Sequence, residues 1–132
     1  MIAFLKEIEC VTLYAEDLPL TRAFYQDVFG LKAIYEDKVS AVLKLGPLMI
    51  NLLQISEAPA LIAPAQVAPP DGGSRLLFTI KVENADKACA EMQQHGVKLL
   101  NGPIDRPWGR RTAAFADPAG NIWEIAQELP QN

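Results

Sequence analysis

Cys10-Val-Thr-Leu-Tyr-Ala-Glu-Asp17 and Leu77-Phe-Thr-Ile-Lys-Val-Glu-Asn84 are two versions of one stretch, set 77 − 10 = 67 residues apart. Thr12 falls on Thr79, Glu16 on Glu83 and Asp17 on Asn84. Each copy is rich in β-branched and aromatic residues, so it reads as a strand, the first placed at Ile8–Tyr14. Each ends in a short polar turn whose last residue can cap a helix. In the first copy Pro19 then suits a first helical turn, and Leu20, Ala23, Phe24 and Val28 follow at helical spacing up to Gly30. In the second, Ala85, Ala88, Cys89 and Met92 form the stripe, up to His95-Gly96-Val97. Glycine suits the left-handed residue that closes a helix.

Short strand candidates complete each copy. They are Ala33–Glu36, Ser40–Leu45 and Leu48–Ile55 in the first, then Lys98–Leu100, Arg111–Ala116 and Ile122–Gln127 in the second. Asp117-Pro-Ala-Gly120 is a turn between the last two. The organisation is therefore a twofold β-α-β-β-β duplication. Residues 1–55 are the first module and residues 75–132 the second, together one structural domain. Residues 56–74 hold four prolines and Asp71-Gly72-Gly73, with no helical or strand period. They are a linker between modules or a flap over a binding site.

The composition bounds the function. Twelve Lys and Arg against 16 Asp and Glu leave a net charge of −4, without the basic footprint that nucleic-acid binding needs. No apolar run approaches the roughly 20 residues of a membrane span, and no basic region precedes the apolar N-terminus, so no signal peptide is expected. Two cysteines are too few for a disulfide scaffold or a metal finger. These features predict a cytoplasmic protein with neither nucleic-acid nor membrane partner.

Several stretches together resemble the vicinal oxygen chelate superfamily, which holds glyoxalase I, bleomycin-resistance proteins and extradiol dioxygenases. In the first half they are Val11-Thr-Leu-Tyr-Ala-Glu-Asp-Leu18 and Ala23-Phe-Tyr-Gln-Asp-Val-Phe-Gly-Leu31. In the second half they are Gly96-Val97, Gly102-Pro103, Pro107-Trp-Gly-Arg-Arg111 and Phe115-Ala-Asp-Pro-Ala-Gly-Asn-Ile-Trp-Glu-Ile125. The resemblance implies an α+β fold. Its two modules would form an open, curled, barrel-like sheet of eight strands around a pocket, with the helices outside. It also implies a homodimer.

Metal-using members take ligands, usually His and Glu, from four equivalent strand positions. Here these fall on Cys10, Asn51, Leu77 and Glu124. Strand alternation is consistent with an inward face for each. Leucine cannot coordinate, an amide is a poor ligand, and a lone thiol beside one carboxylate mixes soft and hard donors. A catalytic zinc-type site needs three protein ligands and an open position, and His95, the single histidine, sits at a helix end. No metal or other cofactor is expected, although a divalent metal stays the alternative, and the resemblance is closest to the metal-independent, bleomycin-resistance-like branch.

The expected ligand pocket comprises Cys10, Asn51, Leu77, Trp108, Arg110 and Glu124. Glu124 is the candidate catalytic residue as a general base, the anchor for a cationic ligand, or a carboxylate paired with Arg75, Arg110 or Arg111. Cys10 reads as a small core residue, with no neighbouring histidine to activate it. Trp108, outside any helical or strand period, is a stacking surface or an anchor for its loop. Arg110 and Arg111 alternate along a strand, so one of them faces the pocket. Trp123 points away from Glu124 into the core. The leading function is a small-molecule binding protein for an aromatic or cationic compound. The alternatives are a lyase, isomerase or dioxygenase working through Glu124, and a dimeric scaffold with a vestigial pocket.

Overall fold

A computed structural model describes residues 1–130 of the chain; the last two residues of the expected second module lie outside the described residues. The chain divides into two units, Met1–Val67 and Ala68–Asn132. The boundary falls inside the segment read as linker or flap.

In the first unit β1 (Cys10–Ala15) leads into α1 (Leu18–Asp27), followed by β2 (Ala33–Glu36), β3 (Ser40–Leu45) and β4 (Leu48–Gln54). β4 lies between β1, which it pairs in parallel, and β3, which it pairs antiparallel, so the sheet order is β1-β4-β3-β2. The second unit repeats this plan with β5 (Phe78–Lys81), α3 (Ala85–Gln94), β6 (Leu99–Arg106), β7 (Arg110–Ala116) and β8 (Ile122–Glu128), in the order β5-β8-β7-β6. The α+β class and the two tandem modules are as expected. The eight strands divide into two four-stranded mixed sheets, one in each unit.

Both helices start where their first amides find acceptors. Asp17 accepts from the Leu20 N–H at 3.1 Å and Asn84 from the Lys87 N–H at 2.9 Å. A glutamine on the last strand of each unit supplies a second acceptor: Gln54 takes the Leu18 N–H at 3.3 Å, and Gln127 takes the Ala85 N–H at 2.8 Å. These bonds satisfy donors that a helix leaves open at its start. At the other end Gly96, at φ +81°, turns the chain so that the Val97 N–H returns to the Met92 carbonyl at 3.0 Å.

The apolar stripe of α3 is as predicted, with Ala85, Cys89 and Met92 buried. That of α1 is not. Its buried residues are Leu18, Thr21 and Tyr25, while Leu20 is 56% exposed. Thr21 qualifies for the core because its hydroxyl donates to the Asp17 carbonyl at 2.9 Å.

Three other expectations are corrected. Residues 56–74 are not wholly without structure: a 3-10 turn spans Ile55–Glu57 and a short helix, α2, spans Pro59–Ile62. Pro59 is preorganised for a first helical position, and the Ala58 carbonyl receives the Leu61 and Ile62 N–H groups at 2.9 and 3.0 Å. β6 runs to Arg106 rather than stopping at Leu100. It does so through a bulge, because Asn101 pairs with Ala114 and Ile104 with Thr112, three residues against two. Gly102 and Pro103 in that bulge interrupt the alternation that marks a strand. Lastly, β5 begins at Phe78, so Leu77 precedes the strand and is 52% exposed.

Candidate functional site

In the second unit one contact tells the two faces of the sheet apart. Arg111 on β7 reaches Asp86 of α3 at 3.0 Å, so its face is the one that carries the helix. Ala113, Phe115, Trp123 and Ile125 share that face by register and are buried. Trp123 packs on Phe78 with ring centroids 4.9 Å apart, the core role predicted for it. Glu124, Arg110 and Thr112 therefore lie on the opposite face.

There Thr79 and Glu124 are register partners across β5 and β8, and the Thr79 hydroxyl donates to Glu124 Oε1 at 3.0 Å. Glu124 is half-buried, and among the described residues no cation pairs with it. The arginines considered as its partners go elsewhere. Arg110 pairs with Glu128 at 3.2 Å, and Arg111 spans Asp105 at 2.6 Å and Asp86 at 3.0 Å. Arg75 is exposed in the chain ahead of β5. Of the two adjacent arginines, then, Arg110 lies on the Glu124 face and Arg111 on the helix face. Its fork to Arg111 holds the Asp105 carboxyl below the ordinary aspartate range and raises the guanidinium in turn.

The first unit holds the counterpart. Thr12 and Asn51 are register partners across β1 and β4, with the Asn51 amide nitrogen 3.4 Å from the Thr12 hydroxyl. The Asn51 carbonyl oxygen is buried and has no hydrogen-bond partner among the described residues. Turning the amide over would only exchange which of its two polar atoms is left over. Cys10 lies two residues before Thr12 on the same face and is half-buried. The other thiol, Cys89, is pushed up by burial and by nearby Asp86, which favours its inert, protonated form.

Trp108 occupies the β6–β7 turn, which closes through a 3.0 Å bond from the Gly109 N–H to the Arg106 carbonyl. Its indole is 68% exposed, so nothing in its own unit packs over it. The neighbouring motif has a structural explanation. Asp117 is buried and accepts from the Ala119 and Asn121 amides at 2.9 Å and from the Asn121 side chain at 2.8 Å. Asp117-Pro-Ala-Gly-Asn121 is thus the clasp of the β7–β8 turn.

One residue of this face escaped the sequence reading. Arg106 is half-buried; its Nε donates to the Thr112 hydroxyl at 2.9 Å and its Nη2 to the Asn101 side-chain oxygen at 3.2 Å. No carboxylate meets it among the described residues. Of the three arginines in Ile104–Arg111 it is the one left without a counter-charge. The available signal was its two-residue spacing from Ile104 across a strand whose bulge hid the alternation.

The four positions carried over as metal ligands present a thiol, an amide, a leucine and a carboxylate. Leu77 has no donor atom, and Asn51 offers at most a neutral oxygen, so this set does not suit a divalent metal. Among the described residues no three His, Cys, Asp or Glu side chains gather into a metal-binding group. Hollows of about 580 and 410 Å³ lie beside β2 and around Ile55–Val67, and neither is lined by the six predicted site residues. Among the described residues no helix is long and apolar enough to cross a membrane.

Known proteins share this architecture. The Glyoxalase/Bleomycin resistance protein/Dioxygenase superfamily matches residues 7–125. Protein YraH of Bacillus subtilis (strain 168) is 30% identical over 123 residues, covering 90% of this chain and 96% of its own. Virulence protein STM3117 of Salmonella typhimurium is 28% identical over 123 residues, 91% of this chain and 83% of its own; its crystal structure superposes with a TM-score of 0.75, covering 98% and 100% of the two chains. A glyoxalase/bleomycin resistance protein/dioxygenase from Nocardioides, 21% identical, has the same fold at a TM-score of 0.85 over 96% of this chain and 86% of that one. With nearly its whole length matched, and the duplicated β-α-β-β-β plan present in both units, the chain belongs to the glyoxalase/bleomycin resistance protein/dioxygenase superfamily.

Proposed function

We propose that the protein binds a small aromatic cation without a metal or other cofactor, as a cytoplasmic homodimer of the bleomycin-resistance kind. The observation that carries this reading is Glu124: a half-buried carboxylate on the sheet face away from α3, held by the Thr79 hydroxyl and not neutralised by any arginine. A carboxylate oriented by a neutral donor keeps its charge for a ligand, and a ligand cation is the partner the sheet itself does not supply. Trp108, exposed on the β6–β7 turn of the same unit, is a surface on which an aromatic or cationic group can stack. The ligand chemistry of the four carried-over positions supports metal independence. Exposed Phe4, Leu5 and Ile8 in the first unit, with Leu76 and Leu77 in the second, offer apolar surface for a second copy.

Calorimetric titration with benzylammonium, run beside elemental analysis of freshly purified protein, tests the reading. Binding is expected without stoichiometric metal, and Glu124→Gln should weaken it about tenfold, or about 1.4 kcal/mol. Trp108→Ala should cost about 1 kcal/mol of the same affinity. Near-stoichiometric metal that disappears in Glu124→Ala would overturn the proposal and make Glu124 a metal ligand of a lyase or dioxygenase. Light scattering in solution tests the dimer.

A further inference from the structure

Arg106 and Glu124 carry opposite charges on one face of one sheet, and among the described residues neither meets a counter-charge. The register places them. Asn101 on β6, Ala114 on β7, Glu124 on β8 and Thr79 on β5 form one row across the sheet. Arg106 starts two rows away, opposite Arg110, but its side chain folds back: Nε bonds Thr112 in the next row, and Nη2 bonds Asn101 in the row of Glu124. The guanidinium is thereby brought to the end of the row in which the carboxylate stands. β6 and β8 are two strand spacings apart, about 10 Å. The residue between them, Ala114, is small, as are Thr112 and Ala126 in the adjoining row.

Both charged groups are held in place by neutral partners. Thr79 orients the carboxylate, and Thr112 with Asn101 orients the guanidinium. A guanidinium has five N–H donors, and two are used by these bonds, which leaves 5 − 2 = 3 for a ligand. Elsewhere the protein ties its sheet arginines to carboxylates, as at Arg110–Glu128 and Arg111–Asp105. Arg106 departs from that pattern although Glu124 and Glu128 lie on the same face. A half-buried, immobilised cation with unused donors is suited to a planar oxyanion, which takes two parallel N–H bonds.

The geometry points to a ligand that is a zwitterion: a small molecule with an ammonium-type cation for Glu124 and, across the Ala114 gap, an oxyanion, carboxylate or phosphoryl, for Arg106. This rests on the reading of Glu124 as a cation anchor and adds the second charge.

The test titrates the intact protein with 4-(aminomethyl)benzoate, which carries both charges, and with benzylammonium, benzoate and phenyl phosphate, which carry one each. The wild type should bind the zwitterion at least tenfold more tightly than benzylammonium. Arg106→Gln should bring the zwitterion down to the benzylammonium level and leave benzylammonium unchanged, with thermal melts confirming that the variant folds. Arg106→Lys, which keeps the charge without the fork, should recover part of the loss. Benzoate against phenyl phosphate tells which oxyanion fits. Equal affinities for zwitterion and benzylammonium, or no effect of Arg106→Gln, would overturn the inference while leaving the cation site standing. Oxyanion binding that depends on Arg106, with no benzylammonium binding, would overturn the zwitterion and the cation reading together. Failure of all four probes at millimolar concentration would do the same.

Discussion

The two units share a plan, and they differ in what each puts on the sheet face away from its helix. The first presents a neutral pair, Thr12–Asn51, with half-buried Cys10 beside it. The second presents Thr79–Glu124, Arg106 and Arg110–Glu128. Residues with one job in both units are those that close the backbone: Asp17 and Asn84 at the helix starts, Gln54 and Gln127 behind them. Residues at matching positions that differ in chemistry, Asn51 and Glu124, make no bond to the backbone. The fold keeps what satisfies its peptide groups and leaves the sheet face free to diverge, and the proposed ligand site is the charged face of the second unit.

The largest expected effect lies in the Asn101–Ile104 bulge of that unit. A Cβ at Gly102 would run into the Thr112 carbonyl oxygen and lie 2.8 Å from the Ala113 Cα, at a φ of +85°. Gly102→Ala should cost about 2–4 kcal/mol in urea unfolding. Gly46 in the first unit also has a positive φ, +59°, but open space around it, so Gly46→Ala should cost only about 1 kcal/mol. Equal costs would mean that the bulge is not tightly packed.

The shared caps come next. Gln54 takes the Leu18 amide and also donates to the Glu16 carbonyl at 2.7 Å, whereas Gln127 has the single helix bond to Ala85. Gln54→Ala should destabilise by about 1–2 kcal/mol and Gln127→Ala by about 1 kcal/mol. A reversed order in chemical denaturation would show that the units do not use these residues alike. Asn51→Leu should be neutral, or stabilise by up to about 1 kcal/mol, because it removes a buried polar atom without a partner. A loss of more than 1 kcal/mol would assign Asn51 to the fold instead.

Acid should show the smallest difference. Asp37, in the β2–β3 turn, is held below the ordinary aspartate range by the Tyr35 hydroxyl and by the Val39 and Ser40 groups it accepts from. In the second unit Asp105 is lowered by Arg111. A carboxyl depressed on folding contributes stability that is complete above its unfolded value, about 3.9, and disappears as the pH falls through the folded one. Melting temperature should therefore fall below about pH 4, and Asp37→Asn and Asp105→Asn should each flatten that fall. Salt should weaken only the Asp105 contribution, since Asp37 is held by uncharged donors.

What was legible in the sequence were features written in neighbouring residues. The Asp17 and Asn84 caps, the α3 stripe and the Asp117 turn each depend on groups a few positions apart, where backbone geometry alone brings them together, and the 67-residue repeat is a match between two such local stretches. The resemblance to the superfamily added strand positions, while the pairing of Thr12 with Asn51 and of Thr79 with Glu124 came only from the strand register. What failed depended on separation along the chain. Tyr25 rather than Leu20 entered the core because the sheet beneath α1, not its own periodicity, chose the buried side. Arg110 and Arg111 found Glu128, Asp105 and Asp86 rather than Glu124. Arg106 came to the row of Glu124 only because a glycine bulge carried β6 past Pro103 and the side chain then folded back onto Thr112 and Asn101. Short-range hydrogen bonds can be read from a string of residues. Which charges find a counter-charge, and which do not, is settled by strands that meet only when the chain is folded.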